Sequence, residues 1–261
     1  MPTPKSRIIT YNRQASPTQG RLILHQLPGA PVVVLIQHGG WQEVDYSDTW
    51  MIPWVDALTG AGFTVVGLNW RFAPSYHYPI ALEDIDLAIR VAHAALAADY
   101  KRSWVPLNVL GFSSGAHLAA LWALNRPSYS RQNYDARLNV RTVISMAGAY
   151  NLNDGTLNDA ALGFLHGFLD TPAWVHAASP IVYAPLASRQ NTRYILIHGE
   201  ADSLLPFDTQ AVAMYDAMVV GKAKSVKLRS YPGVGHDIGQ YATPNWNARL
   251  QEVIADLRAT A

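Results

Sequence analysis

Three segments of this 261-residue chain carry side chains able to make and break a bond at a carbonyl carbon. Gly111-Phe112-Ser113-Ser114-Gly115 fits G-x-S-x-G, His198-Gly199-Glu200-Ala201-Asp202 offers a carboxylate, and Gly233-Val234-Gly235-His236-Asp237 offers an imidazole. A serine hydroxyl is a weak nucleophile until a base takes its proton. An imidazole acts as that base when a carboxylate fixes its tautomer and stabilises its cation. The order Ser113, Asp202, His236 supplies nucleophile, carboxylate and base, each just past an apolar run. Glycines two before and two after Ser113 suit a tight strand-to-helix turn that lifts the hydroxyl into solvent. A fourth segment, His38-Gly39-Gly40-Trp41, brings glycine backbone close to whatever lies in front of it. The N–H groups of Gly40 and Trp41, with that of Ser114 at a helix start, are the candidate oxyanion donors.

The choice among like residues follows from context. Ser114 points into the first helical turn, where serine serves as a cap or packing group. Of nine histidines, only His236 follows a glycine-rich strand end without closing the strand itself. His117 lies on the helix after the turn and faces the core. His198 ends a strand and reads as structural, His38 as a brace for its loop, and His166 as a residue within reach of substrate. Glu200 and Asp208 compete with Asp202 for the carboxylate role. Asp202 is preferred because its loop passes under the imidazole.

These residues need a scaffold that gathers strand ends. Val32–Gln37, Phe63–Trp70, Leu107–Gly111, Val140–Ala147 and Tyr194–His198 are near-continuous apolar runs, as strands buried on both faces require. Ile8–Tyr11 with Leu22–Leu27 suits an opening hairpin, and Val226–Tyr231 alternates as an edge strand does. Helical patterning covers Ile80–Ala98, Ser114–Asn125, Asp208–Val219 and Asn247–Ala259. Strands alternating with helices predict an α/β fold with a mostly parallel sheet, which places ligands at the carboxyl ends of its strands. Residues 150–187, rich in glycine, proline and aromatics, read as a small insertion over that edge within one domain spanning 1–261.

Composition narrows the class. With 49% hydrophobic residues and a net charge of +1, the chain is globular rather than disordered. Twenty basic residues against nineteen acidic ones, with no basic run beyond two, argue against a nucleic-acid partner. The absence of cysteine excludes disulfides, a thiol nucleophile and thiolate metal sites. No pair of histidines has helical metal-ligand spacing, so no metal is expected. The opening segment has no apolar signal core and no apolar run is long enough to span a bilayer, so a cytoplasmic location without membrane attachment is the default expectation. Nothing in the pattern opposes a homodimer.

The ordered motifs resemble the α/β-hydrolase superfamily, and within it the hormone-sensitive-lipase-like group that includes small esterases, feruloyl and acetyl esterases, and kynurenine formamidases. The resemblance runs through His38-Gly39-Gly40-Trp41, Asn69-Trp70-Arg71-Phe72-Ala73-Pro74, Pro79 with Ala81-Leu82-Glu83-Asp84, residues 111–121, residues 198–206 and the Gly-Val-Gly-His ending at His236. Many members have a third glycine where Trp41 stands, and an acidic residue where Phe112 stands. The resemblance implies the α/β-hydrolase fold and cofactor-free hydrolysis of a small carboxylic ester through an acyl-enzyme. It also admits hydrolysis of an N-formyl aromatic amide. A non-hydrolytic biosynthetic enzyme or a ligand-binding protein on the same fold is the reading from another class.

Aromatic residues near these segments suggest the substrate. Trp41, Tyr46 and Trp50 follow the oxyanion loop, Tyr150 follows a strand, and Phe164, Leu165 and Phe168 lie in the insertion. Together they are expected to line an apolar pocket for an aryl or short acyl group. Arg71 reads as a loop anchor, so a multiply charged substrate is disfavoured.

Overall fold

The computed structural model describes residues 3–16, 18–42, 51–129, 138–241 and 243–259. An eight-stranded sheet runs β1(Lys5–Thr10), β2(Arg21–Gln26), β4(Thr64–Leu68), β3(Val32–Ile36), β5(Leu107–Phe112), β6(Val140–Met146), β7(Arg193–Gly199), β8(Val226–Tyr231). The first two strands form the expected antiparallel hairpin, and β2 pairs antiparallel with β4. Every later pairing is parallel. This is the α/β-hydrolase fold.

All residues of β3, β4 and β5 are buried, which accounts for their unbroken apolar composition. Two apolar layers cover the sheet. One gathers Trp70, Trp122, Leu118 and Tyr150 beneath α2(Ile80–Asp99) and α3(Ser114–Tyr129). The other gathers Trp54, Phe63, Phe112 and Trp246 beneath α1(Ile52–Gly60) and α7(Trp246–Arg258). Helix α1 is unannounced in the sequence pattern. It is short, has Pro53 at its start, and buries only Trp54, Val55 and Leu58. The helix expected over Asp208–Val219 opens as a π-turn, Asp208–Val212, before α6(Ala213–Val220).

The stretch between β6 and β7 forms α4(Asp159–Phe168), the one-turn α5(Val175–Ala178) and a 3-10 helix over Pro180–Arg189. Asn158 caps α4 by accepting the Ala161 N–H at 2.9 Å. Gln210 ties the start of this stretch down. Its carbonyl accepts the Tyr150 and Asn151 amides at 2.7 and 3.0 Å, and its amide donates to Asp154 at 2.8 Å. Arg71 is the loop anchor expected of it, with its side chain forked on buried Asp84 at 2.8 Å through both Nε and Nη2. No helix among the described residues is long and apolar enough to cross a membrane.

Candidate active site

Ser113 sits between β5 and α3 with φ of +51°, a left-handed conformation that costs a non-glycine residue of order 1–3 kcal/mol. The turn is held from two sides: the Ser113 N–H donates to the Met146 carbonyl at 2.9 Å, and its own carbonyl accepts the His117 N–H at 3.0 Å. Its flanking glycines are required by close approach. A methyl group on Gly111 would lie 2.3 Å from the Gly115 carbonyl, and one on Gly115 would lie 2.2 Å from the Gln37 carbonyl. Helix α3 therefore starts in direct contact with β3 and β5, and Ser113 and Ser114 at its start border one cavity.

That space brings the three sequence-distant residues together. Ser113 Oγ lies 2.8 Å from His236 Nε2, and His236 Nδ1 lies 2.8 Å from Asp202 Oδ2. The other carboxylate oxygen of Asp202 accepts the Leu204 and Leu205 amides at 3.0 and 2.9 Å. Burial alone would raise the Asp202 carboxyl. The hydrogen bonds from His198 and His236, the charge His236 can carry and the Leu205 amide outweigh burial and hold it far below the ordinary carboxylate range. Asp202 is thus an anion throughout the neutral range. Glu200 instead accepts the Ser230 hydroxyl at the surface, and Asp208 is exposed at a helix start.

Two supports were not legible beforehand. His198 is fully buried with Nε2 3.1 Å from Asp202 Oδ2 and 2.9 Å from the Leu205 carbonyl. The carbonyl only accepts, so Nε2 carries the proton and shares it between the two oxygens. The loop carrying His236 is pinned from beneath by Trp54, whose indole donates to Gly239 at 2.7 Å, and by buried Arg249, whose Nε donates to Ile238 at 2.9 Å. Trp54 is a core residue as its helix position allows, yet its one polar atom is spent on the imidazole loop.

The glycine loop lies across the cavity from His236. Gly39, Gly40 and Trp41 all have positive φ, of 121°, 58° and 62°. The amides of Gly40 and Trp41 have no backbone carbonyl partner among the described residues. A methyl group on Gly40 would meet the Phe164 ring at 2.3 Å, so α4 closes directly over this turn. With the Ser114 amide, these groups border the same cavity as Ser113 and His236. Ser114 Oγ is buried without a partner among the described residues, as suits a packing group.

The cavity measures about 370 Å³ and its walls are chiefly apolar, with Leu152, Leu157, Ala161 and Leu165 on the insertion side and Phe112, Met146 and Ile238 opposite. Of the residues expected to meet substrate, Trp41, Phe164 and Leu165 border it. Trp41 does so by its backbone end, because its indole descends into the core and is only 5% exposed. Tyr150 and Phe168 are not on the wall. Tyr150 is buried with its hydroxyl donating to Ser145 Oγ at 2.8 Å, and Phe168 stacks on Trp41 at 4.7 Å. The expectation that these two meet substrate gives way to packing, since both side chains are buried and neither borders the cavity. Tyr46 and Trp50 lie outside the described residues. His166 is exposed on α4 away from the wall, while His38 borders the cavity at the loop. Among the described residues no group of three His, Asp or Glu side chains forms a metal-binding cluster.

Residues 25–218, about three quarters of the chain, match the model of the BD-FAE family. The chain is 27% identical over 236 residues to Esterase LipQ of Mycobacterium tuberculosis, an alignment covering 87% of this chain and 54% of that protein. It spans about half the length of the curated relatives it matches. Among solved structures, a truncated carbohydrate esterase from gut microbiota superposes with a TM-score of 0.79 at 20% identity, covering 98% of this chain and 97% of that one. A hyperthermophilic esterase from the archaeon Pyrobaculum calidifontis superposes with a TM-score of 0.76 at 20% identity, covering all of this chain and 85% of that one. These two likenesses are likenesses of fold.

Proposed function

The chain belongs to the BD-FAE family, and from that premise we propose that it is a serine hydrolase cleaving small carboxylic esters through an acyl-enzyme at Ser113. The observation that carries this reading is the unbroken hydrogen-bonded line from Ser113 Oγ through His236 to Asp202, with 2.8 Å at each step. Esterase activity named for the relative from M. tuberculosis agrees with it.

In this mechanism His236 Nε2 takes the Ser113 proton as Oγ attacks the ester carbonyl. The carbonyl oxygen gains negative charge beside Gly40, Trp41 and Ser114, which border the cavity next to Ser113 and whose N–H groups stabilise it by donating hydrogen bonds. His236 then gives the proton to the departing alkoxide. Water, deprotonated by the same imidazole, attacks the acyl-enzyme, and His236 passes that proton to Ser113 Oγ as the bond to the acyl group breaks and the acid leaves. Asp202 stays ionised and holds His236 as the Nδ1–H tautomer throughout. Every proton is shuttled by His236, so no cofactor enters.

The apolar walls fit an aryl or short acyl group better than a charged one. The same walls accept the aryl part of an N-formyl aromatic amine, which makes arylformamide hydrolysis the second reading. The test compares kcat/KM for p-nitrophenyl acetate and N-formylkynurenine in one buffer, with Ser113→Ala as the blank. Ester turnover that vanishes in Ser113→Ala, with little formamide turnover, is the expected result. A large formamide preference would move the assignment to the second reading, and full activity in Ser113→Ala would end both.

A further inference from the structure

Trp41 combines two features that oppose each other. Its backbone is in the left-handed region at φ +62°, where a bulky residue is strained, and its N–H is one of the amides that the proposed mechanism aims at the carbonyl oxygen. A strained backbone relaxes unless its surroundings hold it. Around Trp41 part of the restraint comes from its side chain. The indole is stacked on Phe168, with ring centroids 4.7 Å apart and planes 14° from parallel. It meets His117 edge-on at 5.1 Å, and its Nε1–H donates to His117 Nδ1 at 3.1 Å.

An indole nitrogen only donates, so His117 Nδ1 must be the bare nitrogen and Nε2 must carry the proton. That proton is donated to the Ala178 carbonyl at 2.7 Å, at the end of α5. The chain of contacts Trp41, His117, Ala178 thus links the glycine loop through α3 to the insertion. His117 is completely buried, lies one turn along α3 from Ser113, and does not border the cavity. The neighbouring contacts converge on the same loop. The Trp41 carbonyl accepts the Ala73 N–H at 2.9 Å, Phe164 covers Gly40, and the Gln42 side chain lies across Gly167.

We propose that His117 is a positioning residue for the oxyanion site: by accepting the Trp41 indole N–H and donating to Ala178, it fixes the Trp41 side chain and so keeps the strained Trp41 amide aimed at the carbonyl oxygen. The inference rests on the esterase reading above and gives a role to a histidine that takes no part in proton transfer. Its consequence is specific. Losing the anchor weakens an interaction made chiefly in the transition state, so kcat falls while substrate binding, set by the apolar walls, is kept.

The test uses three substitutions in the full chain, assayed with p-nitrophenyl acetate beside Ser113→Ala. His117→Phe keeps a planar ring and removes the acceptor. His117→Asn places a carbonyl oxygen near the Nδ1 position and restores an acceptor. Trp41→Phe keeps the stack on Phe168 and removes the donor. Deleting a whole oxyanion donor costs on the order of 10²–10³ in kcat, and a misaimed donor costs part of that, roughly 10–100-fold. The expected result is a kcat loss in that range for His117→Phe and Trp41→Phe, with KM within about twofold of wild type. His117→Asn recovers to within about fivefold of wild type. Affinity for a trifluoromethyl ketone, which mimics the tetrahedral adduct, falls in step with kcat/KM.

Wild-type kcat in folded His117→Phe overturns the inference, and so does an equal loss in His117→Asn and His117→Phe. Should His117→Phe fail to fold, Trp41→Phe alone decides: an unchanged kcat and ketone affinity overturn the inference. Turnover surviving in Ser113→Ala would instead overturn the esterase reading, so the two failures are separable.

Discussion

Replacing Asp202 by asparagine changes one atom and reverses one half of a hydrogen-bonding scheme. Four N–H groups converge on the carboxylate: those of Leu204 and Leu205 on one oxygen, and those of His198 and His236 on the other. An anion accepts all four. An amide accepts on one side only and must turn its NH₂ toward the other pair. The backbone amides cannot change their protonation, whereas His236 can move its proton from Nδ1 to Nε2. The asparagine NH₂ therefore faces the imidazoles, and His236 presents Nε2–H to Ser113. In that tautomer it cannot take the serine proton. The cost is the one associated with a wrong-tautomer base, on the order of 10⁴ in kcat, or about 5.5 kcal/mol of barrier at 1.36 kcal/mol per tenfold. KM should change little, because Asp202 is not on the cavity wall. The assay is steady-state hydrolysis of p-nitrophenyl acetate at pH 7–9, with circular dichroism to verify folding. A kcat loss below tenfold in folded Asp202→Asn would refute the tautomer argument and the role given to Asp202.

Other consequences are equally measurable. Gly40→Ala forces a Cβ to 2.3 Å from the Phe164 ring, so turnover should fall by about 10²-fold as the glycine loop shifts, and adding Phe164→Ala should return part of it. Gly115→Ala meets backbone oxygens of Ile36 and Gln37 at 2.3 and 2.2 Å, which cannot move without displacing β3; urea unfolding should register a loss of at least about 2 kcal/mol. His117 has its pKa lowered to about 4, mainly by burial, against 6.5 for the free side chain. Between those values the unfolded chain takes up a proton that the folded chain refuses. Stability contributed by neutral His117 is therefore intact above pH 6.5, declines as pH falls, and has dropped by about 3 kcal/mol near pH 4. Denaturation midpoints of wild type and His117→Phe across pH 4.5–7.5 should show the slope flattened in the variant. Ala161→Phe, which projects a ring into the cavity from α4, should shift the preferred p-nitrophenyl ester toward shorter acyl chains, read as the kcat/KM ratio of acetate to hexanoate.

The sheet was readable because burial on both faces demands unbroken apolar runs, and the runs at Val32, Leu107, Val140 and Tyr194 are all interior strands. The convergence of Ser113, Asp202 and His236 was readable because topology sends the carboxyl ends of parallel strands to one edge, so the three needed only to follow their strands. Side-chain direction was not readable. Trp41 follows a loop that faces the cavity, yet its positive φ turns the indole into the core. Tyr150 and Phe168 share that inward turn, which depends on Ser145 and on the indole itself as partners brought by tertiary packing. His198 looked like a strand terminus, and its reach to Asp202 depends on the tight turn between them. Helix α1 escaped because its nine residues bury only three side chains and lack a long periodic stripe.

Covalent trapping asks directly whether Ser113 is the nucleophile. The full chain is treated with a fluorophosphonate probe while p-nitrophenyl acetate turnover is followed, and the product is mapped by peptide mass spectrometry. The expected result is one phosphonyl group per chain, on Ser113, appearing in step with the loss of turnover, and no adduct in Ser113→Ala. An adduct on another residue, or turnover that persists in fully labelled protein, would show that Ser113 is not the nucleophile.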